Sequence, residues 1–535
     1  MITKLLLFSI VVIACLICNK IFSRLGIPML LAFILLGMFF GSDGVVKIAF
    51  DNYEIAEEVS SVALIFIMFY GGFGTKWKSA QKTAVKSVLL STVGVFMTAG
   101  ITGIFCYYVL HIPLLESFLI GALISSTDAA SVFSILRSKH LNLKYNTAPM
   151  LEVESGSNDP CAYMLTVIIL TMMEGNISGG EIVKMLFSQI FFGLLFGVLI
   201  AVVTIEVLKR VHFRGAGFDD SLVMAVAVLA YALSMLFNGN GYLSTYICGM
   251  ILGNSKMKNK NSLVHFFDGV TGLMQMFLFF MLGLLSFPSQ LPKVIVPALC
   301  IAVFLTFVAR PVAVFLILSP FRSKFNQQLL VSWAGLRGAA SIVFAIMAVI
   351  GSEHIDIDIF HIVFLIVLFS ILLQGSLLPF AARKLHMIDD DADVMKTFTD
   401  YVDEVPVQFI QFKIKEEHLW NGQVVKDILL PPDTILVLLL RMGEKIVPNG
   451  DTVLLPGDKL ILSAKAPGKI EGVSLTEKQI EKGDKWEGKT IARLPKEDTK
   501  DMLIIMIKRE DKTIIPNGDT VLQEKDVLVI NYAGE

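Results

Sequence analysis

The sequence has little charge, and the charge that it has is balanced. Asp, Glu, Lys and Arg make up 17% of its 535 residues and the formal net charge is −2, so no surface for nucleic acid is indicated. The six cysteines all lie in apolar stretches and show neither a disulfide framework nor zinc-ligand spacing. We also find no nucleophile–base set and, in the polar C-terminal part, no Gly-x-Gly-x-x-Gly after a strand. We therefore do not expect an enzyme, a bound cofactor or a dinucleotide-binding unit.

Long apolar runs are what the sequence has in excess. Apolar residues make up 55% of the chain and the mean hydropathy is +0.70, which is typical of a protein that crosses a membrane many times. A spanning helix needs about 20 apolar residues, and this length predicts about thirteen spans. The predicted spans cover residues 5–22, 26–41, 58–73, 87–110, 115–136, 150–173, 184–207, 221–237, 241–254, 265–287, 293–319, 327–350 and 358–380.

The breaks between the spans alternate in charge. One alternate set is rich in Lys and Arg, whereas the opposite set has few basic residues and more acids. Because basic loops stay in the cytoplasm, we expect the N-terminus outside the cell and the C-terminal part inside it. The basic set comprises Lys20, Arg24, Lys76, Lys78, Lys82, Lys86, Arg137, Lys139, Lys144, Lys209, Arg210, Arg214, Lys256, Lys258, Lys260, Arg322, Lys324, Arg383 and Lys384.

The sixth predicted span, residues 150–173, contains acids. Glu152, Glu154 and Asp159 fall within it, although carboxylates at membrane depth are costly and mark ion or proton paths. We therefore predict that Asp159 binds a small cation and releases it on protonation. The alternative is that the helix begins near Asp159, with Pro160 in its first turn, and that the acids lie in a cytoplasmic loop.

Two further spans are interrupted near mid-depth. The fifth contains Ser-Ser-Thr-Asp at residues 125–128, and the twelfth contains Gly-Leu-Arg-Gly-Ala-Ala-Ser at residues 335–341. Paired interruptions predict inverted repeats and a midplane site built from discontinuous helices, where unwound backbone offers carbonyl oxygens to a cation. The alternative is that the small residues only let helices pack closely.

Two arginines also fall inside the predicted spans, and neither is expected to be unpaired at such depth. Arg337 lies in the interruption of the twelfth span, and we expect it to pair with Glu154, which would leave Asp159 free to titrate. Arg310, in the eleventh span, either neutralises a half-helix end or Asp128, or extends its charged end to the membrane surface.

The composition changes after Leu385, where an acidic stretch leads into alternating polar and β-branched residues. This C-terminal part contains an internal repeat. The sequence Ile-Val-Pro-Asn-Gly-Asp-Thr-Val-Leu at 446–454 recurs as Ile-Ile-Pro-Asn-Gly-Asp-Thr-Val-Leu at 514–522, so two small α+β modules are predicted. The predicted domains are a transmembrane domain over 1–387, a linker over 388–404 and two modules over 405–472 and 473–535.

Three short motifs follow one another on the fifth, sixth and twelfth spans. They are Thr127-Asp128, Glu154-Ser155 with Asn158-Asp159, and Gly335-Leu336-Arg337-Gly338. In this order they resemble the signature of the NhaP/NHE-type cation/proton antiporters. The resemblance implies a membrane all-α, NhaA-like fold with the same number of helices, inverted repeats, discontinuous helices 5 and 12, and a homodimer.

The resemblance also implies roles for the motif residues. Asp159 would carry the cation and the proton, and Thr127, Ser155 and Asp128 would surround the ion. Asn158 and a Glu154–Arg337 pair would shape the site. An Asn immediately before the Asp goes, in that family, with electroneutral one-for-one exchange.

The C-terminal repeat resembles a tandem of TrkA-C modules, the C-terminal regulatory part of potassium-conductance regulators. Such modules dimerise, and some bind a small nucleotide such as cyclic di-AMP. Joined to an NhaP-type membrane domain, they imply a potassium/proton antiporter of the bacterial plasma membrane. The same site would suit sodium/proton exchange. A ligand-gated cation channel would also use such a tail, but we find no Thr-Val-Gly-Tyr-Gly-like filter, and a non-transporting sensor would not need acids within its spans.

Overall fold

A computed structural model describes the chain as two compact units, Met1–Asp403 and Glu404–Glu535. Most of the predicted linker 388–404 lies outside the described residues, as do Arg214, Lys256 and Lys258 of the predicted basic loops. The described residues are 2–25, 29–139, 141–175, 178–210, 217–255, 257, 260–352, 355–388, 407–414, 416, 418–431, 434–441, 444–465, 474–480, 484–495, 502–509, 512–514, 516–524 and 526–532.

The first unit is built from helices, and each of the predicted spans contains at least one of them. Within the described residues, 7 helical stretches are long and apolar enough to cross a membrane. The helices are α1 (Ile2–Leu25), α2 (Met29–Phe40), α3 (Tyr53–Gly74), α4 (Trp77–Ala80), α5 (Ala84–Ser91), α6 (Val93–Leu110), α7 (Leu114–Leu123), α8 (Ala129–Ser138), α9 (Thr147–Met173), α10 (Gly179–Arg210), α11 (Phe218–Leu236), α12 (Gly241–Asn254), α13 (Lys260–Leu285), α14 (Leu291–Phe304), α15 (Arg310–Leu318), α16 (Phe325–Trp333), α17 (Ala339–Gly351), α18 (Ile359–Phe369) and α19 (Ser376–Lys384).

These helices pack in two groups. Helices α1–α3 and α10–α13 contact one another and form what we call the scaffold, while α5–α9 and α14–α19 form the transport core. Within the scaffold, Gly249 and Gly253 of α12 lie directly against the backbone of Phe69 and Phe73 in α3, where a side chain would not fit. Small residues four apart allow this close approach of helices in membranes.

Two spans of the transport core are interrupted, as the sequence predicts. Helices α7 and α8 are separated by residues 124–128, and α16 and α17 by residues 334–338. The two interruptions touch, because the Asp128 amide donates a 2.8 Å hydrogen bond to the Leu336 carbonyl. Two neighbouring spans also contain π-helical turns, Leu305–Ala309 between α14 and α15 and Ser370–Gly375 between α18 and α19.

The second unit contains two four-stranded antiparallel sheets with the same strand order, β1-β4-β2-β3 and β5-β8-β6-β7. Each has a register shift at the same place in its second strand, between Leu436 and Leu438 and between Ile504 and Met506. The structural repeat therefore matches the sequence repeat. The strands are β1 (Val407–Lys413), β2 (Thr434–Arg441), β3 (Glu444–Ile446), β4 (Lys459–Lys465), β5 (Ser474–Gln479), β6 (Met502–Arg509), β7 (Lys512–Ile514) and β8 (Val527–Tyr532).

Both modules also repeat one buried ion pair. Arg441 binds Asp458 at 2.8 Å in the first module, and Arg509 binds Asp526 at 2.7 Å in the second. The hydrogen bond from Arg441 holds the pKa of Asp458 below its usual value. Each pair ties the second strand of a sheet to the turn that begins the last strand, so the modules share an internal clamp as well as a topology.

Candidate ion-binding site

Asp159 lies inside a helix and not in a loop. Helix α9 begins at Thr147, so Asp159 is near its middle, and its side chain is buried. The alternative in which the helix begins near Asp159 is therefore wrong. Pro160 follows within the helix, and because proline has no amide hydrogen, the Gly156 carbonyl loses its usual donor four residues on. The helix is thus locally weakened beside the buried acid.

The carboxylate of Asp159 faces the interruption of the fifth span. The hydroxyl of Ser126 donates a hydrogen bond to its Oδ1 atom. Sequence reasoning quoted Ser126 as part of the interruption but did not assign it to the site. Its position one residue before Thr127, in unwound chain, was the signal that could have identified it.

Three further predicted site residues tie the fifth span to α9. Ser155 Oγ donates to the Thr127 carbonyl at 2.7 Å and accepts from the Ala129 amide at 2.8 Å. Asn158 Nδ2 donates to Thr127 Oγ1 at 2.5 Å. These bonds use polar groups of the unwound segment that would otherwise be unsatisfied in the membrane. Thr127, Ser155 and Asn158 therefore form one connected group, and Ser126 links Asp159 to the same segment.

Asp128 acts first as a helix cap. Its Oδ1 accepts from the Ser131 amide at 3.2 Å and its Oδ2 from the Ser131 hydroxyl at 2.5 Å, so it terminates the positive end of α8. The carboxylate also lies against Gly338, where a Cβ atom would come within 2.8 Å of the Asp128 Cγ. Asp128 lines the same cavity as Asp159 while holding the two interrupted spans in register.

The predicted Glu154–Arg337 ion pair is wrong. Glu154 instead pairs with Arg310 of the eleventh span, and both side chains are almost completely buried. The guanidinium of Arg337 donates from Nη1 to the carbonyls of Ser125 and Ser126 at 2.8 and 2.7 Å. These carbonyls follow the C-terminal end of α7, which carries the negative end of the helix dipole.

Glu154 pairs with Arg310 and not with Arg337 for a simple physical reason. Arg337 is needed where unwound carbonyls have lost their helical donors, so Glu154 takes the other buried arginine. Gly335 makes room for it, since a Cβ atom there would lie 2.9 Å from Arg310 Nε. Arg310 therefore does not extend to the membrane surface, and the helix-end role foreseen for it belongs to Arg337.

A cleft with a volume of about 200 Å³ leads to Asp159. Its walls include Gly74 at the end of α3, Phe133 in α8 and Glu152 near the start of α9, which are the helix ends beside the basic loops. In the opposite direction, one turn beyond Asp159, the rings of Tyr163, Tyr242 and Phe344 pack with centroids 5.1 to 5.9 Å apart. Within the part of the chain that the structure describes, this cleft therefore reaches the acid from the side of the basic loops.

One scaffold residue reaches this helix without a sequence signal. Asn240 caps α12 by accepting from the Leu243 amide at 3.0 Å, and its Nδ2 donates to the Pro160 carbonyl at 2.7 Å. The bond joins the scaffold to the transport core one residue after Asp159. Sequence reasoning missed it because an asparagine before a helix is common and gives no indication of a distant partner.

Comparison with known protein families identifies the family to which this membrane domain belongs. The transmembrane domain of the sodium/hydrogen exchangers matches residues 9–384. The chain belongs to the sodium/hydrogen exchanger family. This exchanger also carries two TrkA-C domains, at residues 409–468 and 475–531, which confirms both resemblances drawn from the sequence.

Relatives of the exchanger cover most of its length. The K(+)/H(+) antiporter NhaP of Alkalimonas amylolytica is 31% identical over 86% of this chain and 81% of that protein. The K(+)/H(+) antiporter NhaP2 of Shewanella sp. strain MR-4 is 33% identical over 83% of this chain and 78% of that protein. The structure of the sodium proton antiporter MjNhaP1 from Methanocaldococcus jannaschii superposes with a TM-score of 0.64 at 24% identity, over 72% of this chain and 99% of that one, which confirms the fold.

Proposed function

We propose that this exchanger moves a monovalent cation, with potassium favoured, against protons across the bacterial plasma membrane, one for one and without a cofactor. One observation carries the proposal: Asp159 is a buried carboxylate at the point where two interrupted spans meet, at the end of a cleft. Family membership and the two K(+)/H(+) antiporters support it. Asn158 directly before Asp159 supports the electroneutral stoichiometry.

The chemistry is competition for one carboxylate. A dehydrated cation requires several oxygen ligands, and Asp159 offers two, with Ser155 and Thr127 close by. A proton on Asp159 removes its charge and with it the attraction for the cation. Because the two ligands exclude each other, a single acid couples their movements in opposite directions, provided that the empty, charged site does not reorient.

The direction of the cleft supports an inward-facing state of the transporter. Its walls lie toward the helix ends that carry the basic loops, which stay in the cytoplasm, so the conformation is inward-facing with the N-terminus outside. The ring cluster of Tyr163, Tyr242 and Phe344 closes the outer side. Tyr163 and Phe344 belong to the transport core and Tyr242 to the scaffold, so outward opening requires the core to move relative to the scaffold.

Sodium is the second candidate cation. The Na(+)/H(+) antiporter 1 of Methanocaldococcus jannaschii is 27% identical over 61% of this chain, so the same fold is found with a different named ion. The TrkA-C domains favour potassium, since they resemble regulators of potassium conductance.

We also propose that the exchanger is a homodimer and that the tandem of TrkA-C domains binds a small regulatory nucleotide such as cyclic di-AMP. Calorimetric titration of that nucleotide into the full chain tests the last point.

The decisive experiment is transport in proteoliposomes. Potassium, sodium and lithium are added in turn outside vesicles loaded with a pH-sensitive dye, with the full chain and with a chain ending at Leu385. We expect the largest proton movement with potassium. Asp159→Asn should abolish the signal for every cation, while the control Glu58→Gln, at an exposed acid of α3, retains it. Coupled proton movement by a folded Asp159→Asn variant would disprove the role of Asp159.

A further inference from the structure

A second cavity lies on the other side of the interrupted twelfth span, away from Asp159. It has a volume of about 230 Å³ and is bounded by three consecutive spans. Both π-helical turns, Leu305–Ala309 and Ser370–Gly375, border it. π-Helical turns widen a helix locally and often occur at functional sites, and here they face each other across one crevice. We call this cavity the π crevice.

The mouth of the π crevice is apolar and exposed. Val303, Phe307 and Leu373 have 49%, 64% and 54% of their surface accessible. They lie in the middle of the helical stretches Leu291–Leu318 and Ile359–Lys384, which are long and apolar enough to cross a membrane. The mouth therefore opens sideways into the hydrocarbon layer, near the middle of the bilayer.

The polar side chains of Trp333, Ser370 and Gln374 on the inner wall are bonded within the protein. Trp333 Nε1 donates to the Gln374 carbonyl at 3.1 Å, and Gln374 Nε2 donates to the Trp333 carbonyl at 2.7 Å. Ser370 Oγ donates to Gln374 Oε1 at 2.9 Å and accepts from the Arg337 amide at 3.0 Å. A water molecule needs two or more polar partners and leaves apolar cavities empty, so this wall selects an apolar occupant.

We propose that the acyl chain of a membrane lipid occupies the π crevice. An apolar opening at mid-depth faces only hydrocarbon chains, which are flexible and narrow enough to enter. A helix is about 10–12 Å across with its side chains, so a second copy of the protein could cover the mouth but not fill the crevice. The proposal does not depend on which cation is exchanged.

The position of the π crevice connects the lipid to the ion-binding site through a short series of contacts. The acyl chain of the lipid contacts the face of residues 333–337 that lines the π crevice, through Trp333 and the backbone of Arg337. The side chain of Arg337 extends to the inner face and holds the Ser125 and Ser126 carbonyls. The hydroxyl of Ser126 binds Asp159. Arg337 and Ser126 thus lie between the lipid site and the ion-binding carboxylate.

Trp333 provides the test, because it lines the crevice and fluoresces. The full chain is reconstituted in vesicles whose lipids carry bromine, a fluorescence quencher, either near the chain ends or near the headgroups. The contribution of Trp333 is the difference between the natural chain and Trp333→Phe. We expect bromine near the chain ends to quench this contribution more strongly than bromine near the headgroups.

Variants in which a larger side chain fills the crevice distinguish an acyl chain that enters the crevice from one that only contacts its mouth. Ala302→Phe, and Thr306→Phe as a second filler should the first not fold, place a ring in the crevice and should abolish the quenching of Trp333 by chain-end bromine. Val308→Phe is the matched control, since Val308 is 41% exposed on the same span and does not line the crevice, and it should leave the quenching unchanged.

Three outcomes would overturn the proposal. Quenching that persists in a folded filled variant would mean that lipid reaches Trp333 only at the surface. Quenching by a water-soluble quencher such as acrylamide, but not by brominated lipid, would mean that the crevice holds water. Absence of quenching by both would mean that protein, such as a second copy of the chain, covers the mouth.

Discussion

The two interrupted spans perform different tasks with different residues. The interruption of the fifth span provides oxygen atoms: the Ser125 and Ser126 carbonyls at the end of α7, and the Asp128 carboxylate at the start of α8. The interruption of the twelfth span provides a cation, Arg337, and space, at Gly335 and Gly338.

The difference is one of complementarity. Arg337 neutralises the carbonyl end in the other span, and Asp128 lies against Gly338 at the start of α17. Each interruption therefore stabilises its partner, through the Arg337 guanidinium in one direction and the Asp128 amide in the other. Unwound backbone within a membrane is tolerated only when protein satisfies its polar groups, and here each span supplies what the other has lost. Substitutions on the two sides should consequently have unequal and distinguishable effects.

The largest effect should follow from the ion pair beside the crossing. Arg310→Met leaves Glu154 buried without a counter-charge, which costs about 3–5 kcal/mol. The thermal unfolding temperature of the detergent-solubilised protein measures the loss. The double variant Arg310→Met with Glu154→Leu should recover most of it. Equal destabilisation by the single and the double variant would contradict a pairing of these two residues.

The second largest effect should come from Arg337. Arg337→Ala removes the donors of two buried carbonyls, at about 1–3 kcal/mol for each, and should lower both the unfolding temperature and the yield of folded protein. Arg337→Lys retains the charge but not the planar fork, and should rescue part of the loss. If Glu154→Leu instead rescued Arg337→Ala as it is expected to rescue Arg310→Met, Glu154 would be paired with Arg337 and not with Arg310.

A smaller effect should test the space that the twelfth span provides. In Gly338→Ala the new methyl group would overlap the Asp128 side chain, and overpacking of this kind costs about 1–3 kcal/mol. Transport in proteoliposomes should fall along with the unfolding temperature. Gly351→Ala is the control, because the nearest atom to an added Cβ is Leu170 Cδ1 at an ordinary 3.6 Å. Similar behaviour of both variants would show that close contact at Gly338 is unimportant.

The smallest effect should distinguish the helix-capping role of Asp128 from the role of its negative charge. Asp128→Ala removes the cap of α8, at about 0.5–2 kcal/mol, whereas Asp128→Asn keeps an oxygen for the Ser131 amide. We expect the unfolding temperature to decrease only in the alanine variant. Transport by the asparagine variant then reports on the charge alone. A decrease of the same size in both would assign the stabilisation to the charge and not to the cap.

The sequence was sufficient where a single residue conflicts with its surroundings. An acid such as Asp159, or four polar residues at 125–128, stands out in an apolar run, and the cost of burying it implies a site. The sequence was insufficient where two equivalent partners compete. Arg310 and Arg337 are both buried arginines, and which of them reaches Glu154 depends on the crossing geometry of three spans. Asn240 was missed for a different reason, since an asparagine before a helix is common and nothing in the sequence indicates a partner on another helix.

The bond from the Asp128 amide to the Leu336 carbonyl has one more consequence. It joins the two interrupted spans backbone to backbone, so the unwound segments cannot separate without losing it. We therefore expect the two segments to move together as one rigid body, and the bound ion to move with them between the two faces of the membrane.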